Sequence, residues 1–208
     1  RYQAALEWLS GVYGERYYLE AQLTISRIMA DQGRLDEALT HLAEIMPRSV
    51  AEQVHIYLAE EQLLRDANRL DQALALLNAA LVDLPDDPDL LYARGLVTAQ
   101  LKRLAEHERD MRRLIELEPD NAHAYNALGY TLADQSLRLD EAFAMLEKAV
   151  ELGFRKVDHI EKDPDLTNLR KDERYASILK SAAEPNEGPI WPQLAKPIPA
   201  VGKDGVVL

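Results

Sequence analysis

Cysteine is absent from this 208-residue chain, which excludes disulfide bonds, thiolate metal sites and thiol catalysis. Aromatic residues make up only 6% of the sequence against 47% apolar residues, a balance typical of helices rich in alanine and leucine. Basic residues are outnumbered by acidic ones, 24 to 36, giving a formal net charge of -12. This charge argues against nucleic-acid binding, because phosphate recognition requires clustered Lys and Arg. No apolar run approaches the length of a membrane-spanning helix.

One six-residue phrase recurs along the chain. It reads RLDEAL at 34–39, RLDQAL at 69–74 and RLDEAF at 138–143, and a degraded copy, KRLAEHE, lies at 102–108. His107 takes the place of the alanine in the degraded copy. The copies are 34 to 35 residues apart, which is the period of a solenoid built from helical hairpins.

Each copy predicts a turn between two helices. An apolar stripe upstream of the phrase indicates a first helix, and the phrase begins a second one. Gly33 or Asn68 can take the left-handed conformation that ends the first helix. An acid in the phrase, Asp36 in the first copy, is expected to cap the second helix and to interact favourably with its dipole; its counterparts are Asp71 and Asp140.

Two further features define the repeat. The segments 81–88 (LVDLPDDP) and 114–121 (LIELEPDN) end the second helix in the same way, since proline cannot continue the hydrogen-bond ladder. Gly95 and Gly129 lie 34 residues apart in the predicted first helices. Because glycine in a helix costs roughly 1 kcal/mol relative to alanine, we expect close packing at both positions.

These motifs resemble the tetratricopeptide repeat family. The resemblance implies an all-α fold, a right-handed superhelical solenoid of helix-turn-helix repeats followed by an extended, Pro-rich C-terminal tail. The chain departs from the family pattern at Glu61 and His107, where small residues are expected, at the early Pro47, and by one extra residue near Ser136. We expect these departures to change local packing and not the number of repeats.

The repeat period predicts the organisation of the chain. The opening residues read as the second helix of an incomplete repeat, so we expect the chain to be a fragment of a longer superhelix. Residues 156–180 are predicted to form a capping helical segment, and five of the ten prolines fall in the tail. The predicted segments are 1–18 (second helix of the truncated repeat), 19–53, 54–87, 88–121 and 122–155 (four repeats), 156–180 (cap) and 181–208 (tail).

A closer resemblance comes from 126–135 (NALGYTLADQ) and 138–149 (RLDEAFAMLEKA). Both are similar to tetratricopeptide lipoproteins of Gram-negative bacteria, some of which are adaptors of carboxyl-terminal processing proteases. This resemblance implies a periplasmic protein anchored in the outer membrane, with such a protease as its partner. A cytoplasmic location is the alternative.

No catalytic motif stands out. The five histidines are scattered over different repeats and lack an HExxH pattern, so we interpret them as ordinary surface or groove residues. The acids of 83–89 could attract a cation, but they lack the glycine and the distal glutamate of a calcium loop, and turn capping explains them better. The basic segment 109–113 (RDMRR) reads as a solvated helix face. We therefore predict no enzyme, cofactor or metal site.

The candidate binding surface is the concave face lined by the first helix of each repeat. It offers aromatic and amide groups suited to an extended peptide or a helix. A basic carboxylate clamp is not found. Leu23, Ala99 and Ala133 belong to this surface, and its predicted contact residues are Arg27, His55, Leu58, Gln62, Arg65, Tyr92, Leu96, His123, Asn126 and Tyr130.

The sequence favours a non-enzymatic scaffold that binds a protein or peptide through this groove. The alternative is a structural or self-assembling solenoid, a homo-oligomer or a chain whose groove is filled by its own tail. The tail itself is either a ligand, with Trp191 and Pro192 as an apolar anchor or Leu208 as a captured carboxyl end, or a disordered terminus.

Overall fold

The first and the second helix of each repeat alternate along the chain, as the repeat predicts. A computed structural model describes residues 17–134, 138–154 and 169–183, together with 4–6, 9, 11 and 166. No strand occurs among these residues, and the predicted all-helical tetratricopeptide fold is confirmed for them. The helices are α1 Tyr18–Asp31, α2 Leu35–Ala43, α3 Val50–Asp66, α4 Leu70–Asp83, α5 Pro88–Gln100, α6 Leu104–Leu117, α7 Ala122–Asp134, α8 Leu139–Glu151 and α9 Glu173–Ala183.

The described helices belong to two compact units, divided within α4. The N-terminal unit comprises residues up to Leu76, and the C-terminal unit comprises Leu77–Ile190. In the N-terminal unit, α1, α2 and α3 share a buried cluster of Leu19, Ala38, Leu42, Ile45, Ile56 and Leu63. In the C-terminal unit, helices α6 to α9 share a larger cluster whose most buried members include Met111, Leu114, Leu128, Leu132, Phe143 and Leu146.

The turns inside the hairpins have the predicted left-handed residues. Gly33 has a φ of 79° and Asn68 a φ of 56°, which confirms both as the residues that end the first helix. Lys102 takes the same conformation, with a φ of 58°, although its side chain makes this backbone region unfavourable. The degraded copy of the phrase thus keeps the turn geometry without the residue type that favours it.

The predicted capping is wrong for Asp36 and Asp140. Asp36 lies in the first turn of α2, and the N-cap is Arg34, which makes no side-chain capping hydrogen bond. Asp140 likewise lies in the first turn of α8, after Arg138 at the N-cap. Both acids are placed to interact favourably with the helix dipole, and each also forms an ion pair. The arrangement arises because the arginine two residues before the acid takes the N-cap.

Side-chain caps occur instead where one repeat meets the next. Ser49 accepts a hydrogen bond from Glu52 N at the start of α3, and Asp87 accepts one from Leu90 N at the start of α5, ahead of Pro88. Asn121 Oδ1 accepts from His123 N and Ala124 N at 3.1 Å each. These contacts support turn capping as the role of Asp87.

Of three helix bounds, one agrees with the sequence and two differ from it. Helix α2 is short and ends at Ala43, as the early Pro47 predicts. Because Ser49 caps the next helix, α3 begins at Val50, four residues before the predicted boundary of the second repeat. Helix α9 continues to Ala183, past the predicted start of the extended tail at Ser181, because Ala182 is buried in the core of the C-terminal unit. The division into repeats stays a prediction.

The arginine that opens two copies of the phrase links neighbouring repeats. Arg69 lies 2.6 Å from Asp36 of the preceding phrase. In the C-terminal unit, Arg138 lies 2.9 Å from Glu108, in the corresponding region of the preceding repeat. Both contacts join residues at least 30 positions apart, so the recurring arginine has a role between repeats as well as within its own turn.

The segment 109–113 is only partly the solvated face that we expected. Asp110 and Met111 are buried, with 1% and 0% of their surface exposed. Arg94 of α5 holds Asp110 through two contacts of 2.7 and 2.8 Å, and Met111 packs over Gly95. The three arginines make the segment look solvated as a whole. Its two buried positions, Asp110 and Met111, lie between them and include an acid, which does not indicate burial.

Candidate protein-binding face

In the N-terminal unit, the predicted groove residues form a connected polar chain. Arg27 of α1 donates to Asp66 of α3 at 2.5 Å, and Asp66 accepts a second hydrogen bond from Gln62 at 2.8 Å. Arg65 then donates to Gln62 and to Glu61, each at 2.6 Å. The three predicted residues Arg27, Gln62 and Arg65 are thus brought together.

This polar chain limits what the N-terminal unit offers to a ligand. Glu61 is only 3% exposed, and burial raises the pKa of its carboxyl while the Arg65 contact opposes the shift. A ligand that took Arg65 would leave that buried carboxyl without its partner, which is costly. On the same helix, Leu58 is half-buried and His55 is exposed, so these two remain accessible.

In the C-terminal unit, aromatic rings line the predicted face. Tyr92 of α5 and His123 of α7 have ring centroids 6.4 Å apart at an interplanar angle of 69°. His123 also meets Phe154 edge-on, with centroids 5.9 Å apart at 88°. Phe154 was not predicted, although the spacing of 31 residues between successive members of this series could have indicated it. His123 is exposed, whereas Phe154 is only 5% exposed.

Asn126 contributes the amide of this face. It lies on α7 between His123 and Tyr130, and its Oδ1 atom is buried without a hydrogen-bond partner among the described residues. An unsatisfied buried acceptor costs about 1–3 kcal/mol. An N–H donor that reached this oxygen would remove that cost.

His107 lies under the same two helices. Its Nδ1 atom is 2.8 Å from the carbonyl oxygen of Gly95 on α5, and its Nε2 atom is 3.3 Å from the carbonyl oxygen of Ala127 on α7. These carbonyl groups belong to residues adjacent to Leu96 and Asn126. We refer to Tyr92, Leu96, His123, Asn126 and Tyr130 as the α5–α7 face.

Two titratable groups of the N-terminal unit were not singled out from the sequence. Burial raises the pKa of Glu60 to about 7, and burial lowers the pKa of His41, whose Nε2 atom has no hydrogen-bond partner among the described residues. Glu60 lies beside the departure at Glu61. The only sequence signal for the burial of Glu60 was its position one helical turn from the apolar residues Ile56 and Leu64.

Several predicted features lie elsewhere. Asp86 forms an ion pair with Arg113 at 2.8 Å, which lowers the pKa of its carboxyl. Within the described ranges, no group of three or more His, Asp or Glu side chains could hold a metal ion, and no helix is long and apolar enough to cross a membrane. Trp191, Pro192 and Leu208 lie outside the described residues.

Comparisons with known proteins agree with the hairpin architecture. The chain is 36% identical over 135 residues to the TPR repeat-containing protein PA4667 of Pseudomonas aeruginosa, a match that covers 65% of this chain and 23% of the relative. It is 35% identical over 101 residues to the protein O-mannosyl-transferase Tmtc1 of Drosophila melanogaster, covering 46% of this chain and 12% of that protein. The chain thus spans less than a quarter of either relative. No protein-family model matches it.

Solved structures show the same fold at low sequence identity. A tetratricopeptide repeat protein from Parabacteroides merdae superposes with a TM-score of 0.60 and 18% identity, over 88% of this chain and 73% of that one. MamA from Desulfovibrio magneticus superposes with a TM-score of 0.55 and 19% identity, over 73% and 85% of the two chains. Together with the hairpins of the described residues and the recurring phrase, these likenesses show that the chain has the tetratricopeptide repeat fold.

Proposed function

We propose that this chain is a non-enzymatic scaffold that binds a partner protein, and that the α5–α7 face carries the binding site. The observation that carries the proposal is the unsatisfied Asn126 oxygen among aromatic rings. An extended peptide could donate a backbone N–H to this oxygen and place a side chain against Tyr92 or His123. The predicted groove residues of the N-terminal unit are less suited to binding a partner, since most of them already belong to one series of hydrogen bonds.

The repeat architecture supports a binding role more directly than a catalytic one. The described helices form hairpins, and these present side chains along extended faces that suit a bound protein or peptide. The relative named as a mannosyl-transferase shares only 12% of its length with this chain. We therefore do not propose that activity for this chain.

The partner that we propose is a carboxyl-terminal processing protease of the bacterial envelope. This proposal is supported by the resemblance of 126–135 and 138–149 to Gram-negative tetratricopeptide lipoproteins. In this role the scaffold would lie in the periplasm, held at the outer membrane, and would bring substrates to the protease. The α5–α7 face would hold either the protease or its substrate.

The test is direct binding between the purified chain and a purified carboxyl-terminal processing protease, measured by interferometry. We expect the parent to bind, and we expect His123→Ala with Asn126→Ala to weaken binding by at least tenfold, because interface energy is concentrated in a few central residues. His55→Ala makes the matching change on α3, and Glu147→Ala removes an exposed charge on α8. Neither should weaken binding more than twofold.

The outcomes separate the two parts of the proposal. If the protease does not bind the parent, the adaptor role is wrong. If it binds and the double variant binds equally well, the protease uses another surface and the assignment of the face is wrong. Light scattering on the parent should show one copy per complex; self-association without the protease would support a self-assembling solenoid instead.

A further inference from the structure

His107 stands where the other repeats have a small residue. Ala38, Ala73 and Ala142 occupy the equivalent position of the phrase and are fully buried. His107 is equally buried, with 1% of its surface exposed. A polar ring in a space that normally holds a methyl group must satisfy its nitrogens inside the protein.

The ring packs against α5 at Gly95. A Cβ atom there would lie 3.5 Å from His107 Nδ1, an ordinary van der Waals contact, and 2.3 Å from Met111 Cε. The ring lies close enough to the backbone of α5 for Nδ1 to reach the Gly95 carbonyl group at 2.8 Å. Thr98 Oγ1 also donates to that carbonyl oxygen, at 2.9 Å.

The other nitrogen faces the next repeat. Nε2 lies 3.3 Å from the Ala127 carbonyl oxygen on α7, so a single ring lies against the backbones of both helices of the α5–α7 face. The following repeat shows the contrast. There Gly129 packs against Leu146 and the backbone of Ala142, and Ala142 has no side chain that could donate a hydrogen bond.

We infer that His107 is a positioning residue, which fixes the separation of α5 and α7 and thereby the arrangement of Leu96 and Asn126. A neutral imidazole donates through one nitrogen and a protonated one through both. With a proton on Nδ1, in the neutral or the protonated ring, the bond donated to the Gly95 carbonyl anchors the ring, and its far edge determines how closely α7 approaches. This inference rests on the α5–α7 face as the binding site, and it identifies what holds that face in place.

The first measurement concerns the ring itself. Two-bond ¹⁵N–¹H correlation spectra of the full chain, labelled at histidine and compared with His107→Gln for assignment, report which nitrogen carries a proton. We expect Nδ1 of His107 to be protonated, whether or not Nε2 is protonated as well. A ring with a bare Nδ1 atom would overturn the inference, because the 2.8 Å contact would then not be a hydrogen bond donated by His107.

The second measurement separates hydrogen bonding from space filling. His107→Leu fills the site without a donor, and His107→Gln restores a donor. We expect the backbone amide resonances of Leu96 and Asn126 to shift in His107→Leu and to stay close to the parent in His107→Gln. Ile178→Ala, which creates a cavity beside α9, controls for a general loss of stability. It should leave the amide resonances of Leu96 and Asn126 in place.

The outcomes are decisive without a known partner. Unchanged resonances in His107→Leu would show that volume alone positions the helices and would overturn the inference. If that variant fails to fold, the protonation of the parent's ring still decides. A confirmed positioning role, combined with unaltered partner binding by the Asn126 variant, would show that the proposed function fails while this inference stands.

Discussion

A methyl group added at Gly95 would meet different neighbours from one added at Gly129, although the two glycines are equivalent in the repeat. At Gly95 it would lie 2.3 Å from Met111 Cε, the end of a flexible side chain. At Gly129 it would lie 2.8 Å from Leu146 Cγ and 3.3 Å from the Ala142 carbonyl oxygen. A methionine end can move aside, whereas a branched carbon and a backbone oxygen cannot do so without moving a helix.

We therefore predict that Gly95→Ala changes the free energy of unfolding by less than about 1 kcal/mol, because the helix propensity of alanine offsets the displacement of Met111. Gly129→Ala should lower it by about 1–3 kcal/mol through overpacking. Urea unfolding followed by circular dichroism measures both. Equal effects of the two variants would show that α5 and α7 pack on their second helices in the same way.

Glu60 provides a prediction that depends on pH. Burial raises the pKa of its carboxyl to about 7 in the folded chain, above the value of about 4.3 expected for an unfolded chain. Between these values the folded state binds the proton more tightly, so Glu60 supports the fold fully at low pH and ceases to do so as the pH rises to about 7. Glu60→Gln should raise the free energy of unfolding at pH 8 by about 1–2 kcal/mol, after allowance for solvent access.

The measurement is unfolding by urea at pH 4.5 and at pH 8. The gain from Glu60→Gln should be small at the lower pH and appear at the higher one. Glu147→Gln changes the net charge equally at an exposed position of α8 and should show no such difference. A gain of the same size at both pH values would mean that hydrogen bonding of the new amide, and not the charge of Glu60, is responsible.

At the scale of the helices, the Arg94–Asp110 pair joins α5 to α6. Arg94 contacts both carboxylate oxygens of Asp110 and also donates to Asn78 at 3.1 Å. The Asp110 side chain is only 2% exposed and that of Arg94 16%. We predict that Arg94→Met lowers the free energy of unfolding by about 3–5 kcal/mol, because it leaves a buried carboxylate with only the 3.5 Å contact of the exposed Arg109.

A second substitution tests this reason. Arg94→Met combined with Asp110→Leu should recover most of the lost stability, since no buried charge remains. Guanidinium unfolding of the parent, the single and the double variant gives the comparison. A double variant no more stable than Arg94→Met would show that the loss came from the packing of the arginine stem and not from the unpaired acid.

The hairpins could be predicted because their signals are local in the sequence. The phrase contains the turn, the first turn of the second helix and the alanine that allows close approach, so Gly33, Asn68, Gly95 and Gly129 were all interpreted correctly. Capping was mispredicted because it depends on a shift of two residues at the helix start. The phrase does not determine which of its residues reaches the N-cap.

The contacts of the candidate face could be predicted only in part. The aromatic members were found from their position on the first helices. The series of hydrogen-bonded side chains from Arg27 to Glu61 could not be predicted from the sequence. Its first bond joins residues 39 positions apart and depends on the register of α1 against α3. His107 was recognised as a departure from the repeat. Its contacts with two carbonyl groups could not be predicted, because they depend on the distances between α5, α6 and α7.

At the scale of the whole chain, the described helices belong to two units with separate buried clusters. In a repeat protein each hairpin contacts only its neighbours, so stability is the sum of local terms and can be lost locally. Leu42 in the N-terminal unit and Leu146 in the C-terminal unit are both almost completely buried. Truncation of either to alanine should cost about 2–5 kcal/mol.

We predict that the two truncations loosen different parts of the chain. Hydrogen exchange measured by mass spectrometry should show faster exchange of α1 to α3 in Leu42→Ala, by about 30-fold for a loss of 2 kcal/mol, with α7 and α8 protected as in the parent. Leu146→Ala should do the reverse. Each variant serves as the control for the other. If both accelerated exchange equally in all helices, the chain would unfold as one cooperative body. The division at Leu76 would then have no energetic meaning.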